Sequence, residues 1–408
     1  MSDESGDGNK MDRVEKTAQV TTGRWGFYFF LAVAVAIKFW LFFHIINRIP
    51  GAVLDPDSYQ YLFDGESIRN FFLRPELGLT NSRLPTPGYP LFLAICRHGL
   101  GLGIHQVIFM QILLNFVAAL LVSRIAWSLN PRWEMLSAFI VLLDIPLTVY
   151  SQLIMTESLF IVVLACFILN FHRYLLLPSY QRLILAALFC TLCVYVRPIA
   201  YFLAWPAAAF IIYSRCPGNW KKTLIHAGLV ILIFYGLCLP WQYRNLKRYG
   251  DFRMSSIADQ TSKVHSFFKD SEEKKALVAP GVPNYIYYPI AFSRNVVELL
   301  TTPGSTKHCD SRPLLIFCKV FGYMLIVFWL PGFLVGLTWG GKDPRYSFLI
   351  WIFLYFLFVT IGATGWTVTS RFRVAMLPSI AIIATAGWFK IRFWWQGLYL
   401  KRRELKAA

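Results

Sequence analysis

The stretch DPDSYQYL, residues 55–62, sets two carboxylates, Asp55 and Asp57, directly beyond an apolar run, WGFYFFLAVAVAIKFWLFFHII, long enough to cross a membrane. Glu157 in MTESLF, Arg197 in VRPIA, Arg244 in PWQYRN, and Arg371 with Arg373 in SRFRVAMLP stand at the edges of later apolar runs. A carboxylate at a bilayer boundary is partly desolvated and is held ionised only if cations lie close. Such a group can take a proton from an attacking hydroxyl, which is general base catalysis. Guanidinium groups, permanently charged and planar, suit the complementary task of gripping phosphate oxygens. A base beside a phosphate clamp at the headgroup plane is equipment for group transfer from a lipid-linked phosphate.

Each residue also has a plain structural reading. Asp55 and Asp57 could be solvated loop acids, and Glu157 could serve the N-terminus of the helix that it opens. Arg197, Arg371 and Arg373 could anchor at the interface or snorkel to headgroups. Lys38, His44 and Asp144, inside apolar runs, read as paired or snorkelling side chains. His98, His105, His265 and His308 lack ligand spacing, so a structural metal site is not expected.

The elements that must position these groups follow from composition. With 56% hydrophobic and 15% charged residues in 408, and a mean hydropathy of +0.50, the chain is not an ordinary soluble domain. The net charge of +18 is scattered between apolar runs, which speaks against nucleic acid and for anionic headgroups or a phosphate-bearing substrate. The cysteines lie mostly in apolar runs and imply no disulfide framework. Cys190 and Cys193 form a CxxC, but without the surrounding pattern of a redox domain.

At about 20 apolar residues per crossing, spans are expected near 25–46, 104–126, 134–150, 156–176, 182–196, 199–214, 223–241, 313–338, 346–366 and 373–393. The fold class is therefore all-α, a polytopic membrane protein of about ten transmembrane helices. Lys and Arg in the short loops put both termini in the cytoplasm. The organisation read from this is a flexible cytoplasmic N-terminus at 1–24, a membrane domain at 25–394 and a basic cytoplasmic tail at 395–408. Two long polar stretches, 47–103 and 242–312, fall on the outer side. The first holds PTPGYPLFLAICRHGLG, which predicts an interfacial helix. The second holds the charged DQTSKVHSFFKDSEEKKA and the aromatic NYIYYPIAF, a flap facing lipid. Asp55, Asp57, Glu157, Arg197, Arg244, Arg371 and Arg373 all fall on the outer face under this orientation, and Tyr59 and Tyr61 have the amphipathic rings that favour the interface.

Taken in order, DPDSYQYL, PTPGYPLFLAI, TESLF, VRP, LPWQYRNLKRYGDFRMSS and SRFRVAMLPSIAIIA resemble the GT-C superfamily of integral-membrane glycosyltransferases, especially the branch of protein O-mannosyltransferases and the lipid A aminoarabinose transferase. The resemblance spans most of the chain. It implies a GT-C-like fold with interfacial helices in the outer loops, and a sugar donor carried on a polyprenyl phosphate. It further implies a catalytic base just beyond the first span. Asp57 is first choice, because the family pattern has a tyrosine four residues after the acid and Tyr61 fits; Asp55 is the reserve. Arg197, Arg371, Arg373 and Arg244 would bind the donor phosphate, with Glu157, Tyr61 and Tyr59 in support. No cofactor is required. Ser58 stands where the family often has a second acid, which leaves a divalent metal undecided. The implied reaction is transfer with inversion to an acceptor hydroxyl of a glycan, lipid or protein on the extracytoplasmic face. The short chain without appended domains points to a bacterial inner membrane.

Two other classes share the composition. A transporter or flippase of lipid-linked sugars would place ionisable groups or broken helices near the bilayer midplane and often show repeat symmetry. A lipid-linked glycan polymerase or ligase would rely on loop Arg and His more than on a carboxylate after the first span.

Overall fold

In a computed structural model, the structure describes residues 29, 31–44, 53–74, 86–216, 218–255, 273, 275, 281–304, 312–339, 343–364 and 369–407. The expected N-terminal segment 1–24 lies outside these, as does nearly all of the charged piece of the second loop. The described residues are helical, without strands. In chain order they form α1 (Leu31–His44), α2 (Pro56–Leu73), α3 (Gly88–Ala94), α4 (Ile104–Leu129), α5 (Glu134–Leu143), α6 (Ile145–Tyr150), α7 (Glu157–Leu176) and α8 (Tyr180–Val196). There follow α9 (Ala204–Ser214), α10 (Trp220–Tyr249), α11 (Asn284–Thr301), α12 (Arg312–Leu337), α13 (Pro344–Thr364) and α14 (Leu377–Ala407).

Six of these helices are long and apolar enough to cross a membrane, and shorter apolar helices accompany them. A helix occupies each of the ten expected segments, with two differences. The third expected span is broken into α5 and α6 at Asp144, whose Oδ1 accepts from the Leu147 N–H at 2.9 Å and so caps α6, with Pro146 in the first turn. The expected tail at 395–408 is no separate element, because α14 runs through it as far as Ala407. The helices that fall in the two long loops are α2, α3 and α11.

The core is aromatic and close-packed. On α7, Phe160, Phe167 and Phe171 are fully buried, and Phe171 stacks on Phe348 of α13 with ring centroids 4.1 Å apart. The tightest crossing joins α12 and α14. A Cβ on Gly387 would lie 1.7 Å from the Gly332 carbonyl oxygen, and one on Gly336 would lie 2.0 Å from that of Ile383. Only hydrogen in place of a side chain allows backbones so near, as in small-xxx-small membrane packing.

Local sequence explains how the loop helices α2 and α3 are held. Asp55 is the N-cap of α2 and Pro56 opens its first turn, where a missing N–H costs nothing. Ser58 donates through Oγ to the Ile154 carbonyl at 2.9 Å and accepts from the Asp55 N–H at 2.9 Å, which ties the start of α2 to the turn before α7. At Gly88 a Cβ would lie 2.6 Å from the Tyr195 carbonyl oxygen, so glycine there lets α3 press on the end of α8.

Candidate active site

Four of the residues singled out in the sequence meet at helix ends. Asp57 lies in the first turn of α2 and Glu157 opens α7, both N-termini where the helix dipole favours an acid. Arg197 ends α8, its extended backbone (φ −142°, ψ 125°) set by the proline that follows. Arg371 sits in the 3-10 segment Ser370–Met376 that leads into α14.

Arg371 joins the two acids. Its Nε donates to Glu157 Oε1 at 2.5 Å and its Nη1 to Asp57 Oδ2 at 3.2 Å. The same Glu157 oxygen accepts from Arg197 Nη1 at 3.2 Å. Two carboxylates face two guanidinium groups, so the cluster is formally neutral. Its members differ in access: the Glu157 side chain is fully buried, whereas that of Asp57 is 50% exposed and that of Arg371 19%. Tyr150 lies under the Arg371 guanidinium, 5.7 Å from carbon to ring centroid, and Phe160 under that of Arg197 at 5.6 Å. Glu157 Oε2 is buried and has no hydrogen-bond partner among the described residues.

Tyr61 borders the cluster. It is buried, its ring edge-on to Tyr89 with centroids 5.1 Å apart. Burial pushes its phenol up to about 12, offset by the Arg371 charge and reinforced by Glu157 and Asp57, so Tyr61 stays protonated. The Tyr89 hydroxyl donates to Gln111 Oε1, and the Gln111 amide donates to the Leu153 carbonyl at 2.6 Å. This buried chain behind Tyr61 was not singled out in the sequence. Tyr89 falls in PTPGYP, but nothing in an isolated Gln within an apolar run marks it as its partner.

Other expected members stand elsewhere. Asp55, the reserve base, is engaged in capping α2: its side chain accepts from the Asp57 N–H at 3.4 Å. Arg373 turns away from Glu157. Its Nη1 donates to the carbonyls of Leu299 (3.2 Å), Leu300 (3.0 Å) and Thr302 (2.8 Å) at the end of α11, and its Nη2 lies 3.8 Å from Asp144 Oδ2. Arg244 stacks over Trp241 at 4.5 Å and donates to Asn245 Oδ1 at 2.7 Å, which makes it part of the lock between the end of α10 and residues 253–254. Tyr59 is 62% exposed. No group of three or more His, Cys, Asp or Glu suited to a metal occurs among the described residues.

No family model matches the chain, and no curated protein matches it. A solved structure that it resembles is the archaeal oligosaccharyltransferase AglB from Archaeoglobus fulgidus in complex with an inhibitory peptide and a dolichol-phosphate. The TM-score is 0.50 at 12% identity, over 95% of this chain and 52% of that one. The chain thus spans about half the length of this structural relative. At that identity the likeness is one of architecture, and it gives the chain a GT-C-like polytopic membrane fold.

Proposed function

We propose that the protein is a membrane glycosyltransferase that moves a sugar from a polyprenyl-phosphate-linked donor to an acceptor hydroxyl, with Asp57 as general base. The observation that carries this reading is Arg371, one side chain bound at once to a buried acid and to a solvent-accessible one. Glu157 fixes the direction of Arg371 and Arg197. Asp57, half exposed, is the acid that an acceptor hydroxyl can reach. The fold shared with an oligosaccharyltransferase solved with dolichol-phosphate supports a lipid-linked donor.

In the reaction, the acceptor oxygen attacks the anomeric carbon from the face opposite the phosphate and its proton passes to Asp57. The bond between the anomeric carbon and the phosphate oxygen breaks, and the charge growing on the departing polyprenyl phosphate is met by Arg371 and Arg197. Fixed donors aimed at developing charge make the usual electrostatic contribution. One displacement inverts the anomeric configuration, and a product of retained configuration would rule this route out.

The test is Asp57→Asn, assayed for transfer from a polyprenyl-phosphate sugar in liposomes. Loss of transfer of about 100-fold or more is expected for a missing general base, with no weakening of donor binding. Full transfer by this variant removes Asp57 from its role. Arg371→Ala and Arg197→Ala should instead weaken donor binding itself.

A second reading, a transporter of lipid-linked sugars, has one observation in its favour: Lys38 and Asp144 are ionisable and buried among apolar helices. Lys38 Nζ, however, donates to Thr148 Oγ1 at 2.8 Å, and Asp144 is engaged in capping α6 and pairing with Arg373. Movement of labelled donor across a liposome bilayer without transfer would favour that reading.

A further inference from the structure

Arg371 and Arg373 share the 3-10 segment Ser370–Met376 but point to different structures. At three residues per turn, positions two apart stand about 240° apart around the axis. Arg371 therefore faces α2 and α7, and Arg373 faces α6 and α11. The second arginine is almost fully buried and more extensively anchored than the first. Its Nη1 meets three carbonyls at the end of α11, where backbone acceptors have no partner inside the helix and the dipole favours a cation. Asp144 lies on its other nitrogen, and Trp329 lies under its guanidinium at 5.8 Å. Asp144 is itself fixed by capping α6, and Lys38 approaches the same region through Thr148 on α6.

A short 3-10 segment has few backbone bonds of its own, so its roll about the axis is set by what its side chains hold. We propose that Arg373 is a positioning residue: pinned to the end of α11 and to Asp144, it sets the roll of residues 370–376 and thereby aims Arg371 at Glu157, Asp57 and the donor phosphate. This rests on the reading of Arg371 as a phosphate ligand. It also gives α11, a helix of the second outer loop, a direct mechanical link to the site. Glutamine at 373 cannot span three carbonyls and an acid. Lysine keeps the charge but loses the planar fork.

The experiment measures the Kd of the full-length protein in nanodiscs for a polyprenyl phosphate, for Arg371→Gln, Arg373→Gln, Arg373→Lys and the double variant Arg371→Gln/Arg373→Gln. Loss of a charge-assisted contact to the ligand should weaken binding about tenfold in Arg371→Gln. Arg373→Gln should show a similar loss, Arg373→Lys a smaller one, and the double variant no more than Arg371→Gln alone. Such non-additivity marks two residues acting as one, whereas general damage to the fold would add to the Arg371 loss. If Arg373→Gln misfolds, Arg373→Lys carries the same cycle. Binding by the Arg373 variants within twofold of the unsubstituted protein, or losses that simply add, overturns the positioning role and leaves the proposed function standing. If Arg371→Gln binds the lipid phosphate unchanged, the donor site itself is misplaced and both fall.

Discussion

Asp57 shares Arg371 with Glu157, and of the three ion pairs in the cluster its own is the exposed one. Exposed pairs contribute about 1 kcal/mol or less. Under the proposed function, an arriving phosphate exchanges with Asp57 more readily than with Glu157, whose charge is buried. Removing the Asp57 charge should consequently tighten the binding of polyprenyl phosphate while transfer is lost, by up to about fivefold if the exposed pair contributes about 1 kcal/mol. Titration of Asp57→Asn against the lipid phosphate checks this, and the gain should vanish when Arg371→Gln is also present. A gain that persists undiminished there would mean a general field effect and not competition for Arg371.

The same charge balance bears on metals. Both acids of the cluster are already matched by guanidinium groups, and Glu157 Oε1 accepts from two of them. Transfer is expected to be unchanged after exhaustive chelation with EDTA. A loss restored by added divalent cation would show that the arginines yield to a metal during transfer.

Of the site, Asp57, Glu157, Arg197 and Arg371 were legible in the sequence because each adjoins a helix start or stop: Pro56, Thr156, Pro198 and Ser370 mark the depth at which the side chain emerges. Such signals carry no azimuth. Arg373 and Arg244 stand at the same depth as the cluster by sequence, and nothing in SRFRV or PWQYRN tells that Arg373 faces the end of α11 or that Arg244 lies over Trp241. The capping role of Asp55 was half visible, since Asp followed by Pro before a helical run is a start signal. Its consequence, that Asp55 is engaged while Asp57 is accessible, depends on side-chain direction, which the start signal does not carry.

At the scale of elements, hydropathy located the spans well because crossing length and apolar content are set by the bilayer itself. It missed the break at Asp144, where an apolar run of membrane length contains a cap and a proline. It missed the α12–α14 crossing too, although GFLVG at 332–336 is a GxxxG pattern whose partner, Gly387, lies on another helix. Gly387→Ala must push the two backbones apart, and overpacking of a close-packed contact costs about 1–3 kcal/mol. A thermal unfolding midpoint several degrees below that of the unsubstituted protein is expected in detergent. Gly228 lies on α10 with nothing within 4 Å of its notional Cβ, so Gly228→Ala should be neutral or slightly stabilising, since alanine is the better helix former by about 1 kcal/mol. Equal destabilisation by both would show that the crossing is looser than its geometry.

For the molecule as a whole, two independent features bear on the site's place relative to the bilayer. Glu157 begins α7 and Arg197 ends the adjacent α8, so the two residues meet only if those helices run antiparallel with both ends on one face. At the other ends of the bundle, Arg345 in the first turn of α13 donates to the Ser128 carbonyl at the end of α4 at 2.8 Å, and Trp133 meets Trp339 edge-on at 5.6 Å. Arg173, Arg182, Lys221 and Lys222 flank helix ends of that second face, and a surplus of Lys and Arg marks the cytoplasmic side. By that rule the carboxylate cluster is expected on the extracytoplasmic face. Tyr59 is exposed one turn into α2, beside Asp57, and Lys221 is exposed at the start of α10. In a background whose reactive native cysteines are replaced by serine, a membrane-impermeant maleimide added to intact cells should label Tyr59→Cys and leave Lys221→Cys unlabelled until the membrane is opened. The reverse pattern would invert the orientation and put the carboxylate cluster on the cytoplasmic side. Labelling of both from outside would mean that α7 and α8 do not separate the two faces, which would undo the common placement of Glu157 and Arg197 on which the site depends.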